Sequence, residues 1–194
     1  MKKTILAAAV AVLVAAPAAV AAPGPSTNAN TRATVKTCNN MAAQMGKRNF
    51  RALFAPKTQN ARAALRNCVR SEVAAQQRVR ANSAQLCKTW ASGDDTTGFQ
   101  ERFGTGTAYA TMFTGRNAHG KCTSTLARRQ NAERRAAMVN AAKACAPGRA
   151  NASYVVPALA GTSKEGQSFS TAFGTTKNAY GKCVSFVAKN RQSA

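Results

Sequence analysis

Cysteines at positions 38, 68, 87, 122, 145 and 183 divide the chain into three copies of one pattern, and this recurrence limits the possible folds more than any other feature. Each copy runs from a cysteine to an F-x-x-x-F pair and on to a second cysteine. The pairs are Phe50/Phe54, Phe99/Phe103 and Phe169/Phe173. From first cysteine to first phenylalanine the spacing is 12, 12 and 24 residues, so the third copy carries an insertion of one spacing. Recurrence at fixed spacing marks a chain built from similar units, none of which buries much surface alone. The expected units are residues 31–78, 79–135 and 136–194.

The segment before the repeats reads as an export signal. Lys2 and Lys3 precede an apolar run from Ile5 to Ala16, Pro17 breaks it, and Ala19-Val20-Ala21 fits a small-residue cleavage site. Residues 1–21 are therefore expected to be a signal peptide. The run has twelve residues, short of the roughly 20 needed to span a bilayer. Residues 22–30, Ala-Pro-Gly-Pro-Ser-Thr-Asn-Ala-Asn, show no apolar period and are expected to form a flexible tail. The expected location is secreted or extracytoplasmic within the cell envelope.

Export decides the cysteine chemistry, because six cysteines in an oxidising compartment read as three disulfides. No two are closer than 19 residues and there is one histidine, so the spacing does not suit a metal knuckle. No metal and no cofactor are expected.

Between the cysteines the chain is helical in pattern. Val35, Cys38, Met41, Ala42 and Met45 share a helix face that Gly46 ends. From Asn60 to Trp90 there is no proline or glycine, which predicts one long helix through Cys68 and Cys87. A similar stretch runs from Asn117 to Ala146, with Gly120 its only glycine. Its middle, residues 127–135, is polar nearly all round, as in a helix that bridges two packed units through solvent. The phenylalanine pairs sit four apart, on one face of a short helix. Gly104 and Gly174 follow two of these pairs, where a helix end favours positive φ, while Ala55-Pro56 ends the first. Asn117 and Asn178 stand at N-cap positions. Tyr154-Val155-Val156-Pro157, within the 150–161 insertion, reads as a loop or edge piece. The fold class is all-α: three tandem disulfide-clasped helical units joined by long shared helices.

Helix continuity selects among the fifteen possible connectivities. Residues 68 and 87 would lie about 28 Å apart along one helix, and 122 and 145 about 34 Å, whereas bonded cysteines have Cα atoms within about 7 Å. The pairing is therefore Cys38–Cys68, Cys87–Cys122 and Cys145–Cys183, one clasp per repeat.

The second and third copies share Asn117-Ala118-His119-Gly120-Lys121-Cys122 and Asn178-Ala179-Tyr180-Gly181-Lys182-Cys183, and Ala141-Ala142-Lys143-Ala144-Cys145 opens the third. In these elements the chain resembles a cysteine repeat of exported proteins from high-GC bacteria, with A-A-K-x-C, F-G-T and N-A-x-G-K-C in order. The first copy departs from it, with Leu65-Arg66-Asn67-Cys68 in the last element. The resemblance implies an architecture and no activity.

Little here suits catalysis. Lys121 and Lys182 precede cysteines and could favour a thiolate, but a disulfide role takes precedence at repeat spacing. His119 aligns with Tyr180, so a packed ring is expected at both positions. Gly120 and Gly181 are expected to let a facing helix approach. Asp94-Asp95 lies in a turn composition rather than as two carboxylates converging on one bond. The chain is not expected to be an enzyme.

Charge supplies the remaining candidates. The formal charge is +22, or +20 once Lys2 and Lys3 leave with the signal. Arg62, Arg66 and Arg70 recur every four residues, and Arg128, Arg129, Arg134 and Arg135 form a second group. Rows of arginine can track anionic sites. The expectation is an exported structural or interaction module binding anionic envelope or extracellular polymers. The alternatives are a secreted nucleic-acid binder using the same residues and a cationic membrane-active protein, which would need a bare apolar helix face.

Overall fold

The computed structural model describes residues 27–190, with side chains from residue 31 onward. The signal-peptide reading of 1–21 and the first part of the expected tail lie outside the described residues. Eight α-helices follow in order: α1 (Thr27–Met45), α2 (Lys47–Phe54), α3 (Ala61–Ser92), α4 (Thr96–Phe103), α5 (Tyr109–Met112), α6 (Ala118–Ala150), α7 (Phe169–Phe173) and α8 (Ala179–Asn190). Among the described residues there is no strand, only an isolated bridge between Val155 and Ser168 in the insertion. The class is all-α. Residues 27–30, expected in the tail, already belong to α1.

Local chemistry explains most helix limits. Gly46, at φ 86°, breaks the chain between α1 and α2. The Asn60 side chain caps α3 by accepting from the Ala63 amide at 3.0 Å, and Gly93 ends α3 in the left-handed region. Asp95 caps α4 through the Gly98 amide at 2.8 Å. An added Cβ at Gly98, Gly120 or Gly181 would sit within 2.8 Å of the Asp95, Asn117 or Asn178 side chain three residues earlier. The glycines of the N-A-x-G-K-C elements thus make room for the polar residue at their own helix start. The facing helix, expected to use that space, is not what a Cβ would meet. The α6 helix continues through Pro147 to Ala150. Pro147 and Lys143 are both exposed, so water can take the carbonyl that proline leaves unpaired.

The two long helices form the frame. Contacts between them pair residue 72 with 134, 83 with 130, and 87 with 122, so α3 and α6 run antiparallel. Each spans about 48 to 50 Å at the usual rise. The three disulfides are Cys38–Cys68, Cys87–Cys122 and Cys145–Cys183, with Cα separations of 6.1, 6.0 and 6.1 Å. This is the pairing that helix continuity requires.

The three units are not strung in a row, however. The second copy sits where α3 ends and α6 begins, around Trp90, Phe99, Phe113, Leu126 and its own disulfide. Its rings pack edge to face, with Trp90 5.5 Å from Phe99 and 5.8 Å from Phe103. The first and third copies share one core at the opposite end, which holds Cys38, Cys68, Cys145 and Cys183 together with Phe50, Phe169 and Phe173. Antiparallel return of α6 is the reason, since it carries Cys145 back beside the first repeat. The insertion adds Val156 and Leu159, at 1% and 0% exposure, to that same core.

Two expectations follow. Each disulfide closes a loop worth about 3.5 to 4 kcal/mol in the chain-entropy model, so replacing Cys145 and Cys183 with alanine costs about 2 to 5 kcal/mol. Because the core is shared, hydrogen exchange should show α1, α2 and α8 losing protection together while the Trp90 cluster keeps its own. Loss confined to α7 and α8 would mean three independent units. Gly148 provides the second test. A Cβ there would lie 2.1 Å from the Phe169 ring, so Gly148→Ala should destabilise by about 1 to 3 kcal/mol in denaturant melts, despite alanine's better helix propensity.

Candidate functional site

Arg62, Arg66 and Arg70 are all exposed on α3, while Ala64, Cys68 and Glu72 are buried. Continuity of α3 extends this row. Arg80 follows Arg62 by 18 residues, and Lys88 follows Arg70 by 18; at about 3.6 residues per turn that is five turns, so both fall in line. Both are exposed. Five cations therefore stand along one side of a 32-residue helix. The sequence signal for the last two was the 18-residue register, which matters only once the helix is known to be unbroken.

No carboxylate interrupts the row. Glu72, the acid of α3, is 1% exposed and faces α6. Neighbouring arginines four residues apart, about 6 Å along the axis, repel by roughly 0.7 kcal/mol per pair in water before screening. An anionic ligand would relieve that repulsion.

The second arginine group does not form a free basic patch. Arg134 donates through Nη2 to both carboxylate oxygens of Glu72, each at 2.7 Å, and Arg135 approaches Glu72 at 3.8 Å. Arg129 pairs with Glu133 at 2.9 Å and also donates to the Arg102 carbonyl. Arg128 alone of the four is exposed with no ion pair among the described residues.

The polar middle of α6 does not bridge through solvent as expected. It packs against the polar middle of α3, where Ser83 donates to Gln130 at 3.1 Å and Asn131 is buried. One face of a polar stretch can be covered when its partner is polar in register, while Arg128, Arg129, Ala132 and Glu133 stay exposed on the other. Sequence reading missed Glu72 because its partner lies 62 residues away.

The minor candidates resolve into structural roles or open surface. His119 is exposed, against the expectation of a packed ring, whereas Tyr180 is buried and donates from its hydroxyl to the Ala142 carbonyl at 2.9 Å. Burial holds the Tyr180 phenol above its ordinary range, so it remains a neutral donor. The start of α6 is exposed around His119, while Tyr180 at the start of α8 is buried against α6. Asp95 accepts from the Trp90 indole at 3.0 Å as well as capping α4, so the Asp94-Asp95 pair is a turn. All six cysteines are bonded. Among the described residues no cluster of three His, Cys, Asp or Glu could hold a metal, and no helix is long and apolar enough to cross a membrane.

No family model, curated protein or solved structure matches the chain.

The Glu72–Arg134 pair can be tested directly. Glu72→Gln should cost about 3 kcal/mol, because it leaves a partly buried guanidinium without its counter-charge. Replacing both Glu72 and Arg134 with leucine should cost less than the two single changes added together, as read from a double-mutant cycle in urea. Additive losses would mean that the pair is not coupled.

Proposed function

We propose that this chain is an exported structural or interaction module that holds anionic polymers of the envelope or extracellular space along the outer face of α3. The observation that carries the reading is the alignment of Arg62, Arg66, Arg70, Arg80 and Lys88 on one exposed side, unneutralised by any acid of their own helix. Three disulfides suit an oxidising compartment, which supports the extracytoplasmic setting. The resemblance to exported cysteine-repeat proteins points the same way. Nothing in this role requires a catalytic group or a cofactor.

Nucleic acid is the alternative polymer, since phosphates would satisfy the same cations. Trp90, the only aromatic residue of α3, is buried at 5% exposure. Bases therefore have no ring on this face to stack on, and binding would be limited to the backbone. A membrane-active role finds less support. Among the described residues the exposed large apolar side chains are Val73, Met112 and Val155, on three separate elements. They form no apolar face of the kind that lies in a bilayer interface.

Charge-driven binding weakens as salt rises, because each neutralised anionic site releases counterions. With duplex DNA as the test polymer, replacing Arg62, Arg66 and Arg70 with glutamine should flatten the slope of log affinity against log salt by about 2.7. The same changes should leave the helix signal intact, since each exposed substitution shifts stability by less than about 0.5 kcal/mol. Equal slopes for wild type and variant would reduce the face to solvated surface. Competition between the DNA and an acidic glycan then distinguishes the two polymers, with the glycan expected to displace the DNA.

A further inference from the structure

Away from α3, a cleft of about 490 Å³ opens where the end of α2, the last turn of α6, the 174–178 loop and the first turn of α8 meet. Its floor is closed by Phe169 and Tyr180, which are 4% and 2% exposed and held against α6. The missing side chain of Gly148 admits the Phe169 ring, and the Tyr180 hydroxyl is turned away to the Ala142 carbonyl. The walls carry Lys57, Arg149 and Lys177, and no carboxylate lines the cleft. Among the described residues none of these three cations forms an ion pair.

Arg149 is the most constrained of them. Its guanidinium lies 5.7 Å above the Tyr180 ring and donates to the Arg48 carbonyl at 3.2 Å, which leaves further donors for a ligand. Burial first, and the positive charge of Arg48 second, make its cationic form less favourable than usual. No acid lies beside it, so an anion entering the cleft would meet an uncompensated charge. The first turn of α8 reaches the cleft at Ala179, and the start of that 12-residue helix adds about half a positive charge.

We infer that this cleft is a second anion site, built for a small phosphate monoester. Three cations and a helix start suit a dianion better than a single carboxylate. The volume falls within the usual range of about 300 to 1,000 Å³ for small-molecule sites. A polymer is not what this shape takes. No residue of α3 lines the cleft, so the inference stands apart from the polyanion face and can fail or hold without it.

Phenyl phosphate is the probe. It would be titrated into the isotope-labelled, disulfide-bonded chain at about 150 mM salt, where the Debye length is about 8 Å and diffuse attraction is screened. The expected result is saturable one-to-one binding, with the largest amide shifts at Gly174, Thr175, Thr176 and Lys177. Affinity should exceed that for benzoate, a monoanion on the same ring, by about threefold or more. Lys177→Gln, an exposed and fold-neutral change, should weaken binding by about tenfold. Lys143→Gln, an exposed α6 residue outside the cleft, should leave it unchanged. Shifts that rise linearly and scatter over the basic surface would overturn the inference. So would wild-type affinity in Lys177→Gln, or benzoate binding as tightly as phenyl phosphate.

Discussion

The antiparallel docking of α3 against α6 carries the rest of the architecture, and it is held in an unusual way. At its middle the interface is polar: Glu72, Ser83, Gln130, Asn131 and Arg134 meet where a helix pair would ordinarily bury leucines. Apolar burial is concentrated at the two ends, each secured by disulfides. A buried ion pair adds little net stability against a well-packed apolar substitute, but breaking it is costly. Its contribution here is to alignment. Glu72 meets Arg134 in one register only, and that register sets Cys87 opposite Cys122 and returns Cys145 to the first repeat.

Acidic residues are few, and most are already engaged by other groups of the chain. Glu72 holds Arg134, Glu133 holds Arg129 and Arg102, Asp95 caps α4 and receives the Trp90 indole, and Glu165 accepts from the Gly161 amide. What remains is a surface of cations without local counter-charges. Net charge alone would be compatible with simple solubility. Its distribution says more, because five cations lie on one side of α3 with no acid of that helix among them and the cleft beside α8 is lined by three cations and no carboxylate. The two features differ in shape: one is open and long, the other recessed and small. They are therefore suited to different anions.

Several elements were legible from local sequence for identifiable reasons. The proline- and glycine-free stretch after Asn60 became α3, and the F-x-x-x-F pairs became α2, α4 and α7 with ring centroids 4.8, 4.8 and 5.6 Å apart. Gly104 and Gly174 take positive φ where those helices end. Other readings failed where the deciding partner was remote. The 127–135 stretch looked like a solvent bridge because nothing nearby in sequence shows that Glu72 and Ser83 await it. His119 and Tyr180 occupy matching motif positions, yet one is exposed and the other buried, because Tyr180 lies against α6 in the shared core while His119 stands at the surface of the second unit.

By itself, the sequence determined the helical class, the places where the helices break, and the disulfide partners. All three follow from short-range quantities: the 1.5 Å rise of a helix, the reach of an S–S bond, and the preferences of glycine, proline and asparagine. Only the tertiary structure decided that the first and third repeats share a core, that Arg134 and Arg135 serve a buried carboxylate, and that Arg80 and Lys88 extend the exposed row. Those outcomes depend on which face of one long helix meets which face of another, and that choice is made by residues tens of positions apart acting together. Repeat spacing is blind to it, because identical motifs can be placed at a rim or in a core by the same turn of the chain.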